Sequence, residues 1–143
     1  MPESVDFEAA VARALRRALH AQAPREFVGL LGGRRDGAAW RVAAIVAVHN
    51  AADSADAFAV APADFTAAEA RLRAQGHAFL GFAHSHPGGP ATPSRRDLVA
   101  FWPHCLQAIV GPCGPGAALR CYWRDGEQVR ELAVREGAGE AAA

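Results

Sequence analysis

Lysine is missing from this sequence altogether. All fifteen basic residues are arginines, they face fifteen acidic residues, and the formal net charge is zero. Nucleic-acid binders usually carry a basic excess or patch, so this balance argues against that class. Cysteine is scarce: Cys105, Cys113 and Cys121 form no Cys-x-x-Cys pair, and an odd count does not suggest a disulfide framework. The three read as reduced, partly buried thiols of a cytoplasmic protein, and their spacing fits no common structural zinc motif. No apolar run approaches the ~20 residues needed to span a bilayer. The first ten residues, MPESVDFEAA, are acidic and lack an apolar h-region, so no signal peptide is expected. Internal repeats are absent. Gly88-Gly89-Pro90 has neither the lysine nor the following helix of a phosphate loop.

What remains is a chain of 143 residues, 51% hydrophobic, enough for one domain around a single sizeable core and too apolar for disorder. Residues 6–22 read as an amphipathic helix, with Phe7, Val11, Leu15 and Leu19 on one stripe and Pro24 as its stop. A short strand over 27–31, a turn over 32–37 and a strand over 40–48 form a hairpin. Residues 50–56 are loop, and a short strand is expected over 58–60. Residues 62–75 read as a second helix ending at Gly76. Residues 78–83 are a buried strand, and residues 95–101 a short third helix. A strand over 106–110 is followed by a Gly/Pro-rich connection over 111–116. Strands over 118–124 and 128–134 flank Asp125-Gly126, a strong hairpin signal. A single domain over 1–136 is expected, with a fraying low-complexity tail over 137–143. The mixture of strands and helices is that of an α/β or α+β domain with a sheet at its centre.

The chemistry concentrates in 81–98, GFAHSHPGGPATPSRRDL. Residues two apart on a strand share a face, so His84 and His86 project together while Ser85 turns away. Pro87 and the following glycines and prolines end the strand. Ser94 then fits a helix N-cap, with Asp97 three residues on. Read alone, Ser94-x-x-Asp97 could be only a capping box. Taken together, two imidazoles at a strand end and one carboxylate at a helix start can converge on one cation. Three protein ligands with a fourth position open are the pattern of a catalytic zinc site.

The joined pattern, His-x-His-Pro, six residues, Ser, two residues, Asp, resembles the JAMM signature of the MPN-domain metallopeptidases, which include zinc-dependent deubiquitinating enzymes. The family also uses a glutamate upstream at its first core strand, and Glu26 in Pro24-Arg25-Glu26-Phe27-Val28-Gly29-Leu30-Leu31-Gly32 sits at that place. The likeness runs from the first helix to the last strand. Bacterial members often carry cysteine where this chain has Val28 and an aromatic where it has Ala83, neither a metal ligand. The resemblance implies an MPN-like fold, with a central curved mixed sheet flanked by helices. It implies Zn2+ held by His84, His86 and Asp97, Glu26 as general base to a zinc-activated water, and Ser94 as a donor to the oxyanion. It also implies hydrolysis of an amide or isopeptide bond after a C-terminal Gly-Gly. A chain this short is similar to the compact bacterial members that act on ubiquitin-like sulfur carrier proteins. Without the resemblance, Glu26 would read as an exposed acid at a strand start.

Two other classes stay open. One is a non-catalytic MPN scaffold, disfavoured because the key polar positions are all present. The other is a DNA-repair-associated protein of the RadC type, which shares a similar His-x-His-Pro run but usually adds a helical DNA-binding domain and is disfavoured by the neutral charge. His20, His49, His77 and His104 lack the motif spacing and read as surface or satisfied core residues. Trp40, Trp102 and Trp123 read as core or rim, with Trp102 and His104 close enough to the third helix to border the site. Residues 50–56 and 88–92 are the loops that would gate it. The carrier's identity and the oligomeric state are not encoded in any motif.

Overall fold

A computed structural model describes residues 1–55 and 57–137. The elements run β1 (Ser4–Phe7), α1 (Ala9–Gln22), β2 (Val28–Arg34), β3 (Ala39–Val48), α2 (Pro62–Ala74), β4 (Ala78–Ser85), α3 (Arg95–Ala100), β5 (Leu106–Cys113), β6 (Gly116–Asp125) and β7 (Gln128–Glu136). The strands close in the order β1-β3-β2-β4-β5-β6-β7. Closure rests on β1, which lies parallel to β3 on one side and β7 on the other. The β4–β5 pair is parallel, and β2–β3, β2–β4, β5–β6 and β6–β7 are antiparallel. The curved mixed sheet implied by the family resemblance is therefore curved far enough to close. No helix among the described residues is long and apolar enough to cross a membrane.

Several expected boundaries move. Helix α1 begins at Ala9 rather than residue 6, because residues 4–7 alternate in and out and bury Val5 and Phe7 as a strand. Gly32 and Gly33 belong to β2, not to a turn. Strand β5 runs on to Cys113 through what reads as a connection. No strand forms at 58–60. The tail expected over 137–143 lies, beyond Gly137, outside the described residues.

Strand β2 is buried on both faces, so its run is apolar throughout rather than alternating. Leu31 faces a core with Leu15, Leu19, Val42, Leu80 and Leu106 under α1. Leu30 faces the opposite cluster with Val46, Phe82, Ala68 and Leu72 of α2. One irregularity aims the chemistry. Leu31 pairs with Gly81 and Gly32 with Phe79, leaving Leu80 as an extra residue in β4. Such a bulge switches which alternate residues face which side. Phe79 and Phe82 thus share the α2 side, and His84, two residues beyond Phe82, follows it there. At Gly81 (φ +156°) an added Cβ would stand 2.0 Å from the Leu106 carbonyl oxygen, so only glycine permits this approach of β4 to β5.

Candidate metal centre

Strand β4 delivers His84, fully buried, and the residue after the strand delivers His86, half-buried. Ser85 points away from them and fastens the strand end. Its Oγ accepts the Phe27 N–H at 2.7 Å, and its own N–H donates to the Phe27 carbonyl at 3.0 Å. This stitch brings the residue before Phe27, the buried Glu26, to the histidines. Glu26, His84 and His86 each offer a ligand atom within 4.8 Å of one another, a grouping that can hold a metal ion.

Asp97 reaches the same point from α3. Ser94 caps that helix in a complete capping box. Its Oγ accepts the Asp97 N–H at 3.1 Å, and its N–H donates to Asp97 Oδ2 at 2.9 Å. The box is not an alternative to the site, because the same Oδ2 lies 3.2 Å from His84 Nε2 and 3.0 Å from His86 Nε2. The two Nε2 atoms are 3.0 Å apart. Three nitrogen and oxygen atoms thus form a triangle with sides of 3.0, 3.0 and 3.2 Å. A tetrahedral N/O set at about 2.0–2.1 Å from a cation has edges of roughly 3.3 Å. The donor set therefore fits one small divalent cation with a slight expansion.

The surroundings pre-set these groups. His86 Nδ1 lies 2.9 Å from the Pro90 carbonyl. A carbonyl only accepts, so Nδ1 carries the proton and Nε2 is the atom presented to the centre. Burial pushes the His84 pKa down, against the pull of Asp97. At His86 burial acts in the same sense, but Asp97, the Pro90 carbonyl and Glu26 together outweigh it and the pKa rises. Burial alone would raise Asp97; the two adjoining imidazoles and the hydrogen bond from the Ser94 N–H hold it well below the ordinary carboxylate range instead. Phe58 stacks on the His84 imidazole with centroids 4.4 Å apart.

A cleft of about 540 Å³ opens over the centre, lined by Glu26, His86, Ser94 and residues 87–90. The five residues singled out in the sequence, Glu26, His84, His86, Ser94 and Asp97, therefore meet at one place. Of the bordering candidates, Trp102 packs on Phe82, while His104 lies against Trp123. His20, His49, His77 and His104 are not among the grouped metal donors. Sequence reasoning missed Ser85 and Asn50. Asn50 donates to the Glu26 and Ala57 carbonyls, both at 3.0 Å, and its Oδ1 accepts from Ala52 and Ala59. It is the chain's sole asparagine, two residues past the end of β3, and that position for a residue that bonds backbone locally was the available signal.

The family profile described as prokaryotic homologs of the JAB domain matches residues 8–125. A probable TtuB-protein conjugate cleaving protease of Thermus thermophilus is 39% identical over 107 residues, covering 68% of this chain and 70% of that protein. A desampylase of Haloferax volcanii is 32% identical over 113 residues, covering 78% of each. A protein of Desulfitobacterium hafniense solved in solution superposes with a TM-score of 0.84 at 27% identity, covering 92% of both chains.

Proposed function

Because the chain belongs to the prokaryotic JAB-domain family, we propose that it is a zinc metallopeptidase of the JAMM type. Its reaction is hydrolysis of the amide or isopeptide bond after the C-terminal Gly-Gly of a ubiquitin-like sulfur carrier protein. The observation that carries this reading is the triangle of His84 Nε2, His86 Nε2 and Asp97 Oδ2 with buried Glu26 beside it. Two relatives, one named for cleaving TtuB-protein conjugates and one a desampylase, support the conjugate-cleaving part.

In this reading His84, His86 and Asp97 hold the zinc, since two imidazoles and one carboxylate suit it and leave a position open. Zinc bound there supplies a Lewis acid that polarises the scissile carbonyl and makes a water acidic near neutral pH. Glu26 takes the proton of the attacking water and passes it to the leaving amine. Ser94 keeps the Asp97 N–H on its Oγ lone pair and turns its hydroxyl proton toward the carbonyl oxygen as negative charge develops there. Pro90 and Phe58 keep the two imidazoles in place from behind. At Gly88 and Gly89 an added Cβ would meet nothing within 4 Å, so that wall of the cleft is bare. An extended Gly-Gly tail, itself without side chains, can lie along it. Cys105 and Cys121, buried free thiols, suit the reducing cytoplasm that this reading assumes.

The test uses a small carrier whose Gly-Gly is amide-linked to cysteine, incubated with zinc-loaded, chelated and reloaded protein. Cysteine release by the loaded form, loss of at least ~10²-fold on chelation and recovery on reloading are expected. Undiminished hydrolysis after chelation contradicts the metal chemistry. Retained zinc with carrier binding but no release points to a non-catalytic scaffold instead.

A further inference from the structure

The Asn50 carboxamide grips three separate stretches of backbone. Its Nδ2 donates to the Glu26 carbonyl and the Ala57 carbonyl, both at 3.0 Å. Its Oδ1 accepts from the Ala52 N–H at 3.0 Å and from the Ala59 N–H at 3.1 Å. A carboxamide has two N–H donors and an oxygen with two lone pairs, so its whole capacity is used. The Ala52 bond is the local turn that asparagine readily makes. The other three reach 24, 7 and 9 residues along the chain, and they land beside two residues of the site. The peptide group that follows Glu26 is held at both polar atoms. Asn50 takes its carbonyl, and Ser85 Oγ takes its N–H, that of Phe27, at 2.7 Å. Phe58 is held on both sides, through the Ala57 carbonyl before it and the Ala59 N–H after it. Phe58 in turn stacks on the His84 imidazole.

We propose that Asn50 is a positioning residue of the hydrolysis: one carboxamide sets Glu26 and Phe58 in a fixed relation about the metal centre. The proposal rests on the reading of Glu26 as the base of a zinc hydrolase. A glutamate aims its carboxylate through its own side-chain torsions and through the orientation of its backbone. Pinning the next peptide at both polar atoms removes the backbone part of that freedom. The same rigid amide plane pins the backbone on either side of Phe58. The ring against His84 and the carboxylate grouped with it therefore cannot drift independently. Chemistry separates this role from that of an ordinary turn. A turn at position 50 would be served by aspartate or serine. Two donors aimed at the Glu26 and Ala57 carbonyls demand the amide, because a carboxylate has none and a hydroxyl has one.

The test compares zinc-loaded wild type with Asn50→Ala, which loses all four bonds, and Asn50→Ser. Serine can keep the local bond to Ala52 but not the reach to Glu26 and Ala57, so it serves where alanine folds poorly. Hydrolysis of the Gly-Gly–cysteine carrier amide is followed well below each melting temperature, with bound zinc determined. Misplacing a reacting group by ~1 Å can cost about 10²-fold. At equal zinc content kcat is expected to fall by about tenfold or more while KM stays within about twofold. The same substitution made on top of Glu26→Gln should cost far less, because the group it aims is already gone. A role confined to folding would cut turnover equally with and without Glu26→Gln. A second readout needs no turnover. Stacking places the His84 ring protons in the ring current of Phe58, so Phe58→Leu should move their NMR signals downfield, and Asn50→Ala should move them the same way. Moved His84 signals in a protein whose wild type cleaves nothing would remove the hydrolase reading and leave Asn50 as the clamp on Phe58. Wild-type kcat in the folded, zinc-loaded variants, an equal loss with and without Glu26→Gln, or His84 signals unmoved by Asn50→Ala would each overturn the proposal.

Discussion

Gly111→Ala is expected to weaken the proposed metal centre from a distance while leaving the fold standing. Gly111 sits in β5, opposite Ala118 of β6, and the loop after β4 lies directly on it. An added Cβ would stand 2.7 Å from the Gly89 carbonyl oxygen, 3.0 Å from the Ala91 nitrogen and 3.1 Å from the Pro90 carbonyl carbon. Favourable contacts between such atoms begin near ~3.5 Å, so the loop backbone must retreat by several tenths of an ångström or more. The group that retreats includes the Pro90 carbonyl, which holds His86 Nδ1 at 2.9 Å. Stretching that bond toward ~3.5 Å or beyond forfeits most of it. Loss of the outer partner of a ligating histidine typically lowers metal affinity by about 10–100-fold. The assay is zinc competition against a chromophoric chelator, beside urea denaturation of the metal-free protein. Gly88→Ala is the control: it lies in the same loop, and its Cβ would meet nothing within 4 Å. The expected pattern is weakened zinc binding in Gly111→Ala, near-wild-type binding in Gly88→Ala, and a cooperative unfolding transition in both. Wild-type zinc affinity in Gly111→Ala would refute the chain of contact from Gly111 through Pro90 to His86.

Three further outcomes are expected. Ser85→Ala leaves the buried Phe27 N–H without the Oγ acceptor it has at 2.7 Å, and should destabilise the protein by about 1–3 kcal/mol in chemical denaturation. Cys113 is exposed, while burial pushes Cys121 up to about 12 and raises Cys105. An aromatic disulfide reagent should therefore titrate one fast thiol in the native protein and three after unfolding, and Cys113→Ser should remove the fast one. Arg16 holds Glu136 through a two-pronged ion pair, and that hydrogen bond lowers the Glu136 pKa. A lowered folded pKa means the contribution is complete above the ordinary glutamate range and is lost as pH falls through the folded value. The pair is partly exposed, so the effect should stay within about 1 kcal/mol. The stability gap between wild type and Arg16→Gln should thus be larger at pH 7 than at pH 3.

The parts of this molecule that the sequence displays are those whose physics is local. Alternation in 82–86 puts His84 and His86 on one face, and Ser94-x-x-Asp97 specifies a helix start whose acid faces back toward its own cap. Dihedral preference, capping and period two act within a few residues, so they are visible in one dimension. The misread parts depend on distant partners. Residues 4–7 are too few to establish a strand by pattern, and Phe7 also fits the stripe of the helix behind it. Only pairing with β3 and β7 decides the matter. Phe58 and Val60 suggest a strand, yet Asn50 supplies the hydrogen bonds there and holds a loop against His84. The extra residue Leu80 leaves no mark in composition. It nonetheless decides which side of the sheet receives the histidines. Barrel closure likewise comes from contacts far apart in the chain.

The role proposed for Glu26, moving the proton in a zinc-dependent hydrolysis, is tested by comparing wild type with Glu26→Gln on a Gly-Gly–cysteine carrier amide, with bound zinc determined in both. Both proteins should bind one zinc, and the variant's turnover should fall by at least about 10²-fold, since glutamine keeps the shape but cannot accept the proton. Equal turnover in the two proteins at equal zinc content would contradict it.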